Sequence, residues 1–128
     1  MFGEESIYGQ SLVHFDTKKR IFLPSFTFVE PKETLLLVNN IDFLSVYKEK
    51  TYENYIKEIE KQYLTYDLDK KREVDLILLK LYSSILKKVE SDNQKRINLG
   101  GIETDKNEFL CIGARDHVIL DTKCRGIK

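Results

Sequence analysis

Two octapeptides carry the side chains of this sequence best suited to chemistry. Asp16-Thr17-Lys18-Lys19-Arg20-Ile21-Phe22-Leu23 is echoed 76 residues later by Asp92-Asn93-Gln94-Lys95-Arg96-Ile97-Asn98-Leu99. In each, a carboxylate stands four residues before a guanidinium, and a lysine directly precedes the arginine. A guanidinium presents a planar fork of donors that fits guanine edges and phosphate oxygens, while lysines supply charge that neutralises a phosphate backbone. Arg20 and Arg96 are therefore candidate base or phosphate contacts. Lys18, Lys19 and Lys95 are candidate phosphate contacts, and Gln94 has the amide that reads adenine. Asp16 and Asp92 suit loop positioning, accepting hydrogen bonds from turn amides or from the arginine four residues on. One copy alone is better read as an Asp-Arg brace of a tight turn. Two copies in one frame point to a supersecondary unit used twice.

The remaining candidates are isolated. No Ser/His/Asp set, glycine-rich phosphate loop or metal-ligand spacing occurs, so neither an enzyme nor a cofactor or metal site is expected. Cys111 lies in an apolar segment and reads as a buried free thiol, and Cys124 lies in the tail with no Cys-x-x-Cys partner. His14 and His117 read as half-buried or surface strand residues.

The elements that must hold the two turns follow from periodicity. Leu12–Phe15 reads as a strand, residues 16–20 as a turn, and Ile21–Leu23 as extended chain up to Pro24. Phe26 and Phe28 alternate with Thr27 and Val29 before Glu30-Pro31-Lys32-Glu33 breaks the segment, and residues 1–10 read as irregular. Apolar runs with small or turn-forming residues at Asn39-Asn40 and at Gly113-Ala114 predict hairpins over 34–47 and 109–121. The interval between turn and hairpin is two residues shorter in the second copy, which a loop absorbs. Lys88–Ser91 precedes Asp92 as Leu12–Phe15 precedes Asp16. Between the copies, Tyr52, Tyr55, Ile56, Ile59 and Tyr63 predict an amphipathic helix over 48–64. After a polar break at 67–71, Val74, Ile77, Leu78, Leu81, Ile85 and Leu86 predict a second over 72–86.

With 128 residues the chain can bury one core, whereas halves of about fifty residues would be marginal alone. Its 21 basic and 21 acidic residues cancel, which counts modestly against nucleic acid as partner; the local field at the basic turns matters more. A third of the residues are charged and no apolar run suffices for a membrane span, so a soluble protein is expected. Met1-Phe2-Gly3-Glu4-Glu5 lacks the order of a secretory signal, and a cytoplasmic location is expected.

The order of elements, with Met1-Phe2-Gly3-Glu4, Asp16-x-Lys18-x-Arg20-Ile21-x-Leu23-Pro24 and Asp92-x-Gln94-x-Arg96-Ile97-x-Leu99, resembles the MraZ family of bacterial transcription regulators. The intervening helices and the Tyr82-Ser83-Ser84 stretch share in the likeness, which covers nearly the whole chain. It implies an α+β fold of two swapped-hairpin, AbrB-like β-barrel halves, 1–47 and 87–128, joined by a helical connection at 48–86 in one domain. It also implies a repressor-like protein that assembles as a ring-shaped homo-oligomer and presents its Asp-x-x-x-Arg loops to repeated sites in double-stranded DNA. The chain departs from the family pattern in having Lys19 and Lys95 where glycine usually precedes the arginine. It also has Gly100-Gly101 in place of proline, and Thr27-Phe28 and Glu103-Thr104 in the region where a further arginine is common. If the turns require positive φ, each lysine costs on the order of 1 kcal/mol relative to glycine. Two alternatives stay open: an interaction or structural oligomer that has lost DNA binding, and an AbrB-like antitoxin bound to a toxin.

Overall fold

Segments with period-two patterning become strands in a computed structural model of the chain, which describes residues 6–39, 43–102 and 107–121. Strands β1 (Gln10–His14), β2 (Arg20–Phe22), β3 (Thr34–Asn39) and β4 (Leu44–Lys48) precede helices α1 (Glu49–Lys61) and α2 (Leu68–Ser83). Strands β5 (Ile85–Glu90), β6 (Arg96–Asn98), β7 (Glu108–Gly113) and β8 (Val118–Asp121) follow them. The fold is mixed α+β. Its strands pair antiparallel throughout, in one sheet ordered β1-β7-β8-β4-β3-β5 and in a separate β2-β6 ribbon.

The repeat in the sequence becomes a two-fold pattern in the strand pairing. β1 and β5 correspond at an offset of 76 residues, β3 and β7 at an offset of 74. Val13 opposite Phe109 thus maps onto Val89 opposite Leu35, and Leu37 opposite Val46 onto Cys111 opposite Leu120. The pattern departs from symmetry at the bulge between Leu37 and Val38. Its axis passes through the Ile21–Ile97 pair of the ribbon and the Ser45–Ile119 pair of the sheet. The expected barrel halves are corrected here. β1 pairs with β7 and β5 with β3, so each half completes the other's sheet, and the six strands stay open with β1 and β5 at the edges. Strands β2 and β6, three residues each, pair only with one another among the described residues and so do not close the sheet.

The main core fills the space between ribbon and sheet. Ile21, Leu23, Ile97 and Leu99 are fully buried and pack with Val13, Leu35, Leu37, Val89, Phe109 and Leu120. At about 1.5–3 kcal/mol per buried aliphatic side chain, this cluster is the largest favourable contribution to holding the ribbon on the sheet. A second cluster lies on the other side of the sheet, where Leu36 and Val38 meet Tyr52 and Ile56 of α1 and Leu78 and Leu81 of α2. The Tyr52 hydroxyl donates to the Leu81 carbonyl at 2.6 Å, tying the first helix to the end of the second.

Several boundaries differ from the periodicity reading. The first helix ends at Lys61 and a 3-10 turn, Tyr63–Thr65, follows it. The second starts at Leu68, four residues early, because the Asp67 carboxylate accepts the Lys70 amide as an N-cap. It stops at Ser83, and Ile85 and Leu86 belong to β5, where pairing with β3 overrides their helical spacing. Phe26 lies in a 3-10 turn, Ser25–Thr27, not in extended chain; Thr27 is buried and its hydroxyl donates to the Pro24 carbonyl at 2.7 Å. Gln10 belongs to β1, and Ile7 bridges to Arg115. The second hairpin reverses over 114–117, with the Ala114 amide donating to the His117 carbonyl. The first reversal at Asn40, and Cys124 and Met1–Glu5, lie outside the described residues. Cys111 is buried; His14 is exposed beside Glu108 at 3.4 Å, and His117 stacks on Tyr47.

Candidate nucleic-acid interface

The two basic turns have the same architecture. Asp16 and Arg20 exchange a backbone bond, Asp16 amide to Arg20 carbonyl at 2.9 Å, and the Lys19 amide returns to the Asp16 carbonyl at 3.1 Å. Asp92, Lys95 and Arg96 repeat both bonds at 3.0 Å. Closing the chain so tightly places the residue before the arginine in the left-handed region: φ is 62° at Lys19 and 63° at Lys95. The glycine-type conformation is thus kept with lysine in it, at a backbone cost of about 1 kcal/mol per turn. The turns also interlock, since the Leu23 amide donates to the Lys95 carbonyl at 3.0 Å and the Leu99 amide to the Lys19 carbonyl at 2.9 Å.

Each aspartate organises its turn from inside. Asp16 Oδ1 accepts the amides of Lys18 at 2.8 Å and Arg20 at 3.0 Å, and Oδ2 accepts Arg20 Nε at 2.8 Å. Asp92 does the same with Gln94, Arg96 and Arg96 Nε at 2.9, 2.9 and 2.8 Å. Amide donation from Arg20 and from Arg96, more than the guanidinium charge, holds the two carboxyls below their ordinary pKa, against partial desolvation.

Because the ribbon is antiparallel and Ile21 and Ile97 point inward, Arg20 and Arg96 emerge on its outward face together with Phe22 and Asn98. There each guanidinium reaches across the axis. Arg20 Nη1 lies 4.0 Å from Asp92 Oδ2, and Arg96 Nη1 lies 3.9 Å from Asp16 Oδ2. These contacts are too long for hydrogen bonds, so the network commits the Nε of each arginine and orients the rest of the guanidinium. The arginine side chains are 25% and 27% exposed, within reach of a ligand yet already balanced by two carboxylates. Lys18, Lys19 and Gln94 are exposed and Lys95 is half-buried, so the surplus positive charge of this face comes from lysines.

No protein-family model and no curated protein matches the chain. What the site can do is therefore read from its own geometry.

The ribbon thus carries two guanidinium–carboxylate pairs at its axis and a lysine-bearing turn at each end. Among the described residues no cluster of His, Cys, Asp or Glu is arranged to hold a metal ion, and no helix is long and apolar enough to cross a membrane. Periodicity had given no sign of the carboxylate–guanidinium contacts across the axis, which require knowing that β2 pairs with β6. Nor did it single out the flanks of the turns, which are unequal. Beside the first, His14, Phe15, Lys19 and Asn107 line an open cleft of about 660 Å³, with Lys19 Nζ 5.4 Å from the centre of the Phe15 ring. Beside the second stands Ser91, buried, whose hydroxyl donates to the Glu30 carbonyl at 2.6 Å and accepts the Glu33 amide at 2.9 Å.

Proposed function

We propose that the chain is a DNA-binding transcription regulator of the MraZ type, built from swapped-hairpin, AbrB-like halves and acting as a homo-oligomer at repeated promoter sites in the cytoplasmic nucleoid. The observation that carries this reading is the placement of two equivalent Asp-x-x-x-Arg turns on one outward face, with their arginines related by the axis of the ribbon. In this reading Lys18, Lys19 and Lys95 contact phosphates, Arg20 and Arg96 contact bases or phosphates through their Nη groups, and Gln94 meets a base edge. Asp16 and Asp92 hold the arginines in place. A single chain offers few contacts, and several chains in one assembly multiply them.

A second reading has its own support. Each guanidinium is matched by a carboxylate, so the axis itself carries no net charge, as in an assembly module that does not touch DNA. One titration decides between the two: binding to duplex DNA from upstream of the coding sequence, measured by fluorescence anisotropy at several salt concentrations. A regulator shows affinity that falls steeply with salt and a slope that flattens by about one for each phosphate-contacting lysine removed. Wild-type protein with no retention even at low salt supports the assembly module.

A further inference from the structure

The two-fold pattern of the ribbon is broken on its outward face. Four side chains stand there: Arg20 and Phe22 from β2, Arg96 and Asn98 from β6. The axis through Ile21 and Ile97 exchanges the two arginines with each other and Phe22 with Asn98. The first exchange changes nothing chemically, whereas the second swaps a phenyl ring for an amide. Phe22 is 55% exposed and lies directly opposite Arg96, beside the turn that carries Gln94 and Lys95. Asn98 is exposed as well and lies opposite Arg20, beside the turn that carries Lys18 and Lys19.

The two side chains differ in what they can recognise. Asn98 Oδ1 accepts the Gly100 amide at 2.7 Å, so the acceptor end of its amide is engaged by the chain itself. The donor end suits an acceptor on a base edge, such as guanine N7 or O6 or thymine O4. Phe22 has no polar group to offer. In the major groove the apolar feature that marks a base is the C5 methyl group of thymine, and a phenyl ring is among the side chains that meet it. That groove is about 12 Å wide and admits a two-stranded ribbon, with flanking lysines left to reach phosphates. Phe22 and Asn98 are two residues apart along the ribbon, and strand rise and base step are both about 3.4 Å, so their contacts fall about two base pairs apart. One exposed phenyl ring is ordinary on a protein surface. This one stands between guanidinium and lysine groups, at a position whose counterpart is polar.

We infer that Phe22 is a specificity-determining residue of the DNA contact, meeting a thymine methyl group in the major groove at one end of the ribbon while the Asn98 amide donates to a base acceptor at the other. The inference rests on the DNA-binding reading of this face and adds to it the base that one position selects.

Replacing every thymine of the duplex by deoxyuridine tests it, because this removes the methyl groups and keeps the hydrogen-bonding groups of each base. Anisotropy titrations of the full chain compare the two duplexes, both with the sequence upstream of the coding region. Wild type is expected to bind the thymine duplex about fourfold more tightly, the equivalent of one buried methyl group. Phe22→Asn, which installs the residue of the second half, should lose that preference, and Phe22→Leu should keep most of it. Phe22→Ser replaces Phe22→Asn should the latter lose its circular dichroism spectrum. Equal affinity of wild type for both duplexes overturns the inference, as does a preference that persists in Phe22→Asn. Either result leaves the regulatory reading standing as long as salt-dependent binding remains, whereas wild type that binds neither duplex removes both. A Phe22→Asn protein whose sedimentation mass falls while its preference for thymine is kept assigns the ring to a contact between protein chains and overturns the inference.

Discussion

Ile21 lies directly opposite Ile97 in the ribbon, and both side chains are completely buried. Because the axis of the repeat runs through this pair, one apolar contact fixes the positions of both basic turns at once. Neighbours alternate in direction along a strand, so inward isoleucines force Arg20 and Arg96 outward onto the same face. The core contact thereby sets the geometry of the site.

Ile97→Ala is expected to destabilise the fold by about 2–5 kcal/mol, the usual cost of truncating a fully buried aliphatic side chain. Ile21→Ala should cost a similar amount. Since the residues touch, the double variant should lose measurably more or less than the sum of the two. Urea unfolding of the three variants checks both the magnitude and the coupling. Additive losses would show that the ribbon is not one cooperative unit.

The repeat, the two helices and the alternation of the main strands were legible in the sequence because each is a local pattern. Partner choice was not. Leu12–Phe15 reads as a strand whether it pairs within its own half or, as observed for β1, with β7. The site was legible to the same depth. Asp16 and Asp92 could be read as braces from their four-residue spacing to arginine, while their approach to the opposite arginine depends on strand pairing. Ile85 and Leu86 continue the apolar spacing of α2, and only the neighbouring β3 converts them to strand. Phe26 and Phe28 alternate like strand residues, yet Pro24 and the Thr27 hydroxyl close a 3-10 turn there.

Lysine in a left-handed turn leads to a prediction that separates stability from binding. Lys95→Gly removes a φ of 63° from a side chain that disfavours it and is expected to stabilise the protein by up to about 1 kcal/mol. Lys19→Gly should gain less, because Lys19 also lies over the Phe15 ring, a contact of about 0.5–1 kcal/mol. Both variants should bind DNA more weakly if the lysines meet phosphate. Thermal melts and salt titrations of the same preparations read the two effects independently.

Ser91 is the polar anchor of the second turn. Its hydroxyl satisfies the Glu30 carbonyl and the Glu33 amide, and its backbone is bonded to Lys32 and Glu33. Ser91→Ala leaves both groups without their side-chain partner and is expected to cost about 1–3 kcal/mol. Hydrogen exchange should show faster opening of residues 30–33, with little change in the first turn. Equal loosening of both turns would contradict the anchoring role.

Alkaline pH acts through two groups away from the turns. Burial pushes the Cys111 thiol up to about 12, and burial followed by the Asp116 charge pushes the Tyr47 hydroxyl up to about 12. Both values are raised above those of the unfolded chain, so the folded state favours the neutral forms. Their contribution to stability is complete below pH 9 and is lost as pH climbs toward 12. Chemical denaturation at stepped pH should show this decline, and Cys111→Ala should remove the part that begins near pH 9. Alkylation of Cys111 in the native protein should be slow until the fold opens.

Asp16→Asn/Asp92→Asn carries the clearest consequence for function. The carboxyls titrate below their ordinary value in the folded protein, so their contribution is present above pH 3.8 and is lost as pH falls through the folded-state value. The double variant should therefore melt at a lower temperature at neutral pH but show a weaker dependence on acid than wild type. Removing two negative charges from the axis also leaves Arg20 and Arg96 unbalanced. If the arginines only brace the turns, DNA retention should stay absent or rise without regard to sequence. If they also read DNA, non-specific affinity should rise while the preference for the cognate duplex falls, because an asparagine amide cannot match the paired acceptance of backbone amides and Nε that orients each guanidinium. Anisotropy titrations against cognate and scrambled duplexes, at a temperature where the variant is folded, distinguish these outcomes.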